Sequence, residues 1–328
     1  MASTSTASST QLTPDAPVRS RWKLAAGVAA ALLLLAAFVF YEHPLWVADQ
    51  GVYLRLKLAG IDSRYVEVGP YRVHYFVGGQ GQPLLLIHGL GARSEDWAPE
   101  MPGYARRGFR VYAIDLLGSG HTSHPDIAYS IQQQVDLVQG FLNALRLQQV
   151  DLAGWSMGGW VALDFTAEHP ERVSRLVVMD SAGLRFQATF APSIFTPKNR
   201  RQLAQLTAVL TPNPVAVPGF VDRAVLRRLS RNYWVVNRML QSMLTGKDLM
   251  EGRLQQIHVP VLIVWGAQDT LIPPSVGERM HRDMPQSVLE EYGGCGHIAP
   301  ATCAQRIVPR VADFFRSNPP MAGGDFRY

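Results

Sequence analysis

From residue 150 the chain reads V-D-L-A and runs without a break into Gly154-Trp155-Ser156-Met157-Gly158-Gly159, after which W-V-A-L-D-F-T-A-E-H has a helical pattern. A buried strand therefore turns at once into a helix, with a serine at the corner. So sharp a turn strains the serine backbone and lifts its hydroxyl clear of the sheet, while Gly154 and Gly158 leave room for strand and helix to pass closely. Such a corner requires a parallel sheet flanked by helices.

The remaining pattern from residue 65 onward supplies one. Residues 65–68 and 72–77, joined at Gly69-Pro70, read as an opening hairpin, and 84–87, 111–114, 150–153, 176–179, 261–264 and 288–292 are apolar runs of the length expected for strands buried on both faces. Helical patterns lie at 94–106 and 130–147, with Ser94 and Ser130 as N-caps, and at 157–168, 274–283 and 303–315. The expected core is α/β and doubly wound, with a mostly parallel sheet. Residues 184–257 are far too many for one crossover, so an inserted helical cap is expected there.

Ahead of this core, residues 24–41 carry no charge and would form a helix about 27 Å long, nearly a bilayer's hydrocarbon thickness. Arg19, Arg21 and Lys23 precede the run and Glu42 follows it. The charge asymmetry reads as a single-pass transmembrane anchor with a cytoplasmic N-terminus and an extracytoplasmic (periplasmic or extracellular) catalytic domain. Secretion after signal cleavage is the rival reading; the run is long for a signal peptide, and no small-x-small site lies between Phe40 and His43-Pro44. Residues 1–23 read as a disordered tail, 42–64 as an interfacial linker, 65–317 as the catalytic domain and 318–328 as a flexible tail.

A hydroxyl at a strand-helix corner needs a base before it can attack a carbonyl. His297, in Gly293-Gly294-Cys295-Gly296-His297 after the last apolar run, is the expected base. Asp269, in W-G-A-Q-D after the preceding one, is the expected acid orienting it. Ser156 would open a helix, so the Met157 N–H and the helix dipole are placed to stabilise an oxyanion, with the Leu90 N–H of His88-Gly89-Leu90-Gly91 opposite. His88 itself reads as a brace for that loop. Phe186, Phe190, Phe195, Leu240, Met243 and Leu244, with Trp155 beside the serine, are candidates for an acyl-binding pocket; the cap residues could equally form the cap's own core.

The motifs P-L-L-L-I-H-G-L-G, D-L-L-G-S-G, G-W-S-M-G-G, W-G-A-Q-D and G-C-G-H-I-A-P together resemble the α/β-hydrolase superfamily over residues 65–317. The serine context and apolar N-terminal helix are similar to membrane-bound monoacylglycerol lipases and related bacterial lipases and esterases. The resemblance implies Ser156 as nucleophile, Asp269 as acid, His297 as base, and Leu90 and Met157 as oxyanion donors. It also implies a structural Asp115 and marks Asp180 as the position where some relatives keep their acid. Cleavage of a carbon–carbon bond or peracid formation on the same three residues is the alternative chemistry. A non-catalytic module for hydrophobic ligands is the alternative from another class, and an intact triad argues against it.

Other classes find little support. Cys295 and Cys303 are too few for a disulfide scaffold and read as buried thiols, with a pairing between them left open. No metal-ligand spacing is present, and Gly78-Gly79-Gln80-Gly81 lacks the lysine and helix of a phosphate loop, so neither metal nor cofactor is expected. The net charge of +5 conceals +8 over residues 184–256, yet Arg223, Arg227, Arg228 and Arg231 sit in an amphipathic pattern without a nucleic-acid module. Nucleic acid is therefore not an expected partner; a small-molecule or lipid ester and, through the apolar helix, a membrane are. Attraction of the basic cap to anionic headgroups is a further expectation. The sequence leaves oligomeric state open.

Overall fold

The computed structural model describes Ala7 and residues 18–328. Most of the expected N-terminal tail lies outside them. The apolar run forms α1 (Val18–Glu42), which starts inside the segment read as tail. An apolar window within its span Trp22–Glu42 has a mean hydropathy of 2.4 and contains no buried residue, so the helix is long and apolar enough to cross a membrane. The supposed linker is a second helix, α2 (Pro44–Leu58), followed directly by β1 (Ile61–Val68). Its interleaved residues Val52, Tyr53 and Leu56 form a helical stripe: Leu56 is fully buried beside Ile61 and Phe76, and the Tyr53 ring lies 5.4 Å from that of Phe76.

The core continues as β2 (Tyr71–Gly78), β3 (Gln82–Ile87), a 3-10 turn (Ser94–Trp97), α3 (Met101–Ala105), β4 (Phe109–Ile114), α4 (Ile131–Ala144), β5 (Val150–Trp155), α5 (Met157–Glu168) and β6 (Val173–Met179). Within 184–257 come a 3-10 turn (Pro192–Phe195), α6 (Arg200–Leu210), α7 (Gly219–Ser230) and α8 (Tyr233–Leu244). After them follow β7 (Val261–Gly266), α9 (Ser275–Asp283), β8 (Val288–Tyr292), α10 (Ala299–Thr302), α11 (Ala304–Arg316) and β9 (Asp325–Arg327). The sheet order is β1-β2-β4-β3-β5-β6-β7-β8-β9, antiparallel at β1/β2 and β2/β4 and parallel from there on. This is the α/β-hydrolase fold.

Strand alternation divides the core into two layers. Leu85 and Ile87 face α4 and α5 on one side, whereas Leu84 and Leu86 face Trp97, Tyr104 and α11 on the other. Three further expectations are corrected. Ser130 caps α4 through a bond from the Gln133 N–H, but Ser94 caps nothing: its N–H donates instead to Asp115 Oδ1 at 2.6 Å, and the expected long helix breaks into a 3-10 turn and one short helix. The C-terminal segment is not a loose tail throughout, because β9 adds to β8 as the final parallel strand. Cys295 and Cys303 are paired as a disulfide, with Cα atoms 6.3 Å apart, rather than being free thiols.

Candidate active site

Ser156 stands between the end of β5 and the first turn of α5 with φ +56° and ψ −121°, a conformation that costs a non-glycine residue about 1–3 kcal/mol. Backbone bonds hold it there. Its N–H donates to Met179 O at 2.9 Å, and its carbonyl accepts from Gly159, Trp160 and Ala182. A Cβ at Gly154 would collide with the Gly158 carbonyl, and one at Gly158 with the carbonyls of Ile87 and His88. The glycines thus let α5 cross the strand ends closely enough to hold the serine against the loop after β3.

Ser156 Oγ lies 2.9 Å from His297 Nε2, and His297 Nδ1 lies 2.8 Å from Asp269 Oδ2. The other Asp269 oxygen accepts from the N–H groups of Leu271 and Ile272, at 2.8 and 3.0 Å. A carboxylate so held keeps the imidazole proton on Nδ1, leaving Nε2 to accept from the serine. All three groups are buried, Ser156 being 8% exposed and His297 1%. The glycine-rich loop that carries His297 is tied down at several points. Trp155 Nε1 donates to His297 O at 2.7 Å, Gln268 N donates to Cys295 O at 2.9 Å, and the disulfide fastens Cys295 to the residue that precedes α11.

The loop after β3 passes directly over the serine: a Cβ on Gly89 would sit 3.0 Å from Ser156 Cβ and 3.5 Å from its Oγ. Leu90 and Met157 both line the cavity above Ser156, and Met157 opens α5, so its N–H has no acceptor within the helix. His88 braces the loop. Its Nε2 accepts from Leu116 N at 3.0 Å while Nδ1 donates to Gly89 O at 2.8 Å, so both ring nitrogens are committed to the loop.

That cavity has a volume of about 750 Å³, and Trp155, Phe186, Phe190, Phe195, Leu240, Met243 and Leu244 all stand in its wall, as does His297. Val52 and Arg55 of α2 also line it, and they were missed because nothing in their local sequence ties that helix to the serine. Their one signal was the apolar stripe of the segment. The two arginines in the wall, Arg55 and Arg185, are both exposed at its margin. Asp180, the alternative acid position, does not touch His297. It is wholly buried with φ +45°, and its Oδ1 accepts from Gly266 N at 2.7 Å; burial and the nearby Asp269 charge push its carboxyl well above the usual carboxylate range.

Residues 82–302 match the family model of the alpha/beta hydrolase fold, and the chain belongs to that family. It is 30% identical, over 77% of its length and 96% of the relative's, to a 2-hydroxy-6-oxononadienedioate/2-hydroxy-6-oxononatrienedioate hydrolase of Burkholderia vietnamiensis. It is 31% identical, over 77% and 93%, to a 2-hydroxymuconate semialdehyde hydrolase of a Pseudomonas species. Among solved structures it is similar to a membrane phospholipase A described as a bacterial virulence factor, with a TM-score of 0.75 and 25% identity over 91% of this chain and all of that one.

Proposed function

We propose that this chain is a membrane-tethered serine hydrolase of carboxylic esters with apolar, lipid-like or medium-length acyl groups. The observation that carries the reading is the cavity above Ser156, walled by phenylalanine, leucine and methionine side chains, with its arginines confined to the exposed margin. An acyl chain is bound in such a space by removal of apolar surface from water. In the cycle, Ser156 Oγ attacks the ester carbonyl carbon while His297 Nε2 takes its proton. Asp269 stabilises the imidazolium, and the oxyanion is met by the Leu90 and Met157 N–H groups. The alcohol leaves with the proton from Nε2, and water repeats the sequence to release the acid. Support for the tether is the length and hydropathy of α1 and the breadth of the likeness to the membrane phospholipase A.

A second reading rests on the sequence relatives, and by sequence they favour it. Their named substrates contain no ester, so hydrolysis there breaks a carbon–carbon bond, on which the same serine, histidine and acid could act. Those substrates are carboxylates, however, and among the described residues that line the present cavity no lysine or arginine is buried to receive one.

The deciding experiment compares p-nitrophenyl esters of two to twelve carbons with a 2-hydroxy-6-oxo-dienoate on the full chain in detergent, with Ser156→Ala as control. Ester turnover that rises with chain length and exceeds dienoate cleavage supports the first reading, and the opposite order overturns it in favour of the second. Absence of both activities, and of fluorophosphonate labelling at Ser156 in folded protein, would leave only ligand binding.

A further inference from the structure

A second hydroxyl–imidazole–carboxylate relay stands on the β1 side of the sheet, remote in sequence from the first. His74 on β2 is fully buried, as is Asp115 just past the end of β4, and His74 Nδ1 lies 2.7 Å from Asp115 Oδ2. Asp115 also accepts from the N–H groups of Ser94, at 2.6 Å, and His121, at 2.8 Å. Burial by itself would raise this carboxyl; the His74 bond, foremost among the opposing interactions, and the His121 amide outweigh it and hold Asp115 at about 2, so it is a carboxylate at every working pH. The Nδ1 proton is thereby fixed toward Asp115, and Nε2 is left as an acceptor. At 2.8 Å from that Nε2 is Oγ of Ser63.

Ser63 differs from a serine that merely satisfies a buried histidine. It sits on β1, the edge strand, and is exposed. It also borders a cavity of about 540 Å³ formed between β1 and α2, where Gln50, Tyr53, Lys57 and Arg64 share the wall. Its hydroxyl thus combines a buried base, a buried acid behind that base, and open space in front. The polarity of the relay is that of Ser156, His297 and Asp269.

We propose that Ser63 is a second nucleophilic serine, an acyl-accepting site for small polar carboxylic esters. In the step, Ser63 Oγ bonds to the ester carbonyl carbon as the bond from that carbon to the alcohol oxygen breaks. The hydroxyl proton passes to His74 Nε2 and departs with the alcohol, leaving an O-acyl serine. No helix begins behind Ser63 as α5 does behind Ser156; Arg64 pairs with Asp62, which also borders the cavity, at 3.2 Å, so Lys57 is the cation in the wall left to meet the developing negative charge. With one flexible cation in place of a fixed backbone cradle, acylation at Ser63 is slower than at Ser156, and the acyl group accumulates instead of turning over.

The test uses the full chain in detergent with Ser156→Ala, so that the first site contributes nothing, treated separately with p-nitrophenyl acetate and a fluorophosphonate. Intact mass and peptide mapping then read the adducts. The expected result is one adduct on the Ser63 peptide, formed many-fold faster than on the exposed Ser230 and lost in the Ser156→Ala/Ser63→Ala double variant. Ser63→Ala alone should leave turnover by Ser156 unchanged. A Ser63 that reacts no faster than Ser230, or not at all, in folded Ser156→Ala overturns the proposal, and would mean that the relay only fastens β1 to β2. Failure of the ester reading would appear separately, as cleavage of the 2-hydroxy-6-oxo-dienoate exceeding ester turnover in the wild type.

Discussion

Asp49 on α2 grips Arg228 of cap helix α7 with both carboxylate oxygens, at 3.1 and 2.6 Å, and bonds through one of them to Arg93 as well. Arg93 lies three residues beyond Leu90, so a single acid joins α2, the inserted helices and the loop above Ser156. The group is partly exposed, which limits its worth to about 1–2 kcal/mol. Asp49→Ala is expected to speed limited proteolysis between α6 and α7 several-fold and to reduce turnover of long-chain esters more than of acetate. Unchanged proteolysis and selectivity would show that the cap is held without it.

The same contact revises the role of the basic cap. Arg228 is engaged by Asp49, but Arg223, Arg227 and Arg231 are exposed, on the helix whose Phe220 ring packs 5.7 Å from Phe40 and 5.1 Å from Tyr41 at the end of α1. With α1 in a membrane, as proposed, this basic surface is attracted to anionic headgroups by about 1 kcal/mol per cation near the surface. Arg227→Glu with Arg231→Glu should therefore lower activity on anionic vesicles several-fold while sparing soluble esters. Equal loss on both substrates would place the effect in the cap's folding.

Asp269 and Asp180 offer a direct comparison. Asp269 meets His297 and receives two backbone N–H groups, whereas burial and the Asp269 charge push the Asp180 carboxyl well above the usual carboxylate range. Asp269→Asn should lower kcat by about four powers of ten, through loss of the productive tautomer, with the fold intact. Asp180→Asn should cost only a few-fold. Steady-state kinetics on one chromogenic ester distinguish the two, and the reverse order would make Asp180 the acid.

The Cys295–Cys303 bond closes a short loop around His297, worth about 2–3 kcal/mol on the chain-entropy account. Cys303→Ser, or wild type under a reductant able to open the bond, should melt several degrees lower and lose kcat more than it gains KM. A lower Tm with unchanged kcat would confine the bond to stability.

Glu100 predicts a pH dependence with a definite sign. It is fully buried, Tyr104 OH donates to its Oε2 at 2.8 Å, and its other oxygen has no partner among the described residues. Burial pushes its carboxyl up to about 8, the Tyr104 bond only partly opposing. The folded state therefore holds a proton that the unfolded chain releases near 4.5. This contribution to stability is fully present below that value and is lost as pH rises toward about 8. Denaturant midpoints at pH 5.5 and 8 should fall accordingly in the wild type and much less in Glu100→Gln; equal slopes would exclude Glu100 as the source.

Local patterns carried the strands, the elbow at Ser156 and the short motifs that hold Asp269 and His297, because each depends on residues only a few positions apart. Backbone strain at the corner, apolar runs buried on both faces and glycines at close crossings all leave marks in composition and spacing. The same holds for α1, whose hydropathy is a sum along one segment. What joins distant segments left no such mark. The Asp49 bridge, the α2 wall of the cavity, the addition of β9 to β8 and the contact of Ser63 with His74 depend on how finished elements pack, and an acidic, polar or short extended residue looks the same in sequence whether or not a partner awaits it. Cys295 and Cys303 show the limit most plainly: their spacing allowed either thiols or a bond, and the choice followed from the path that brings the His297 loop back onto the start of α11.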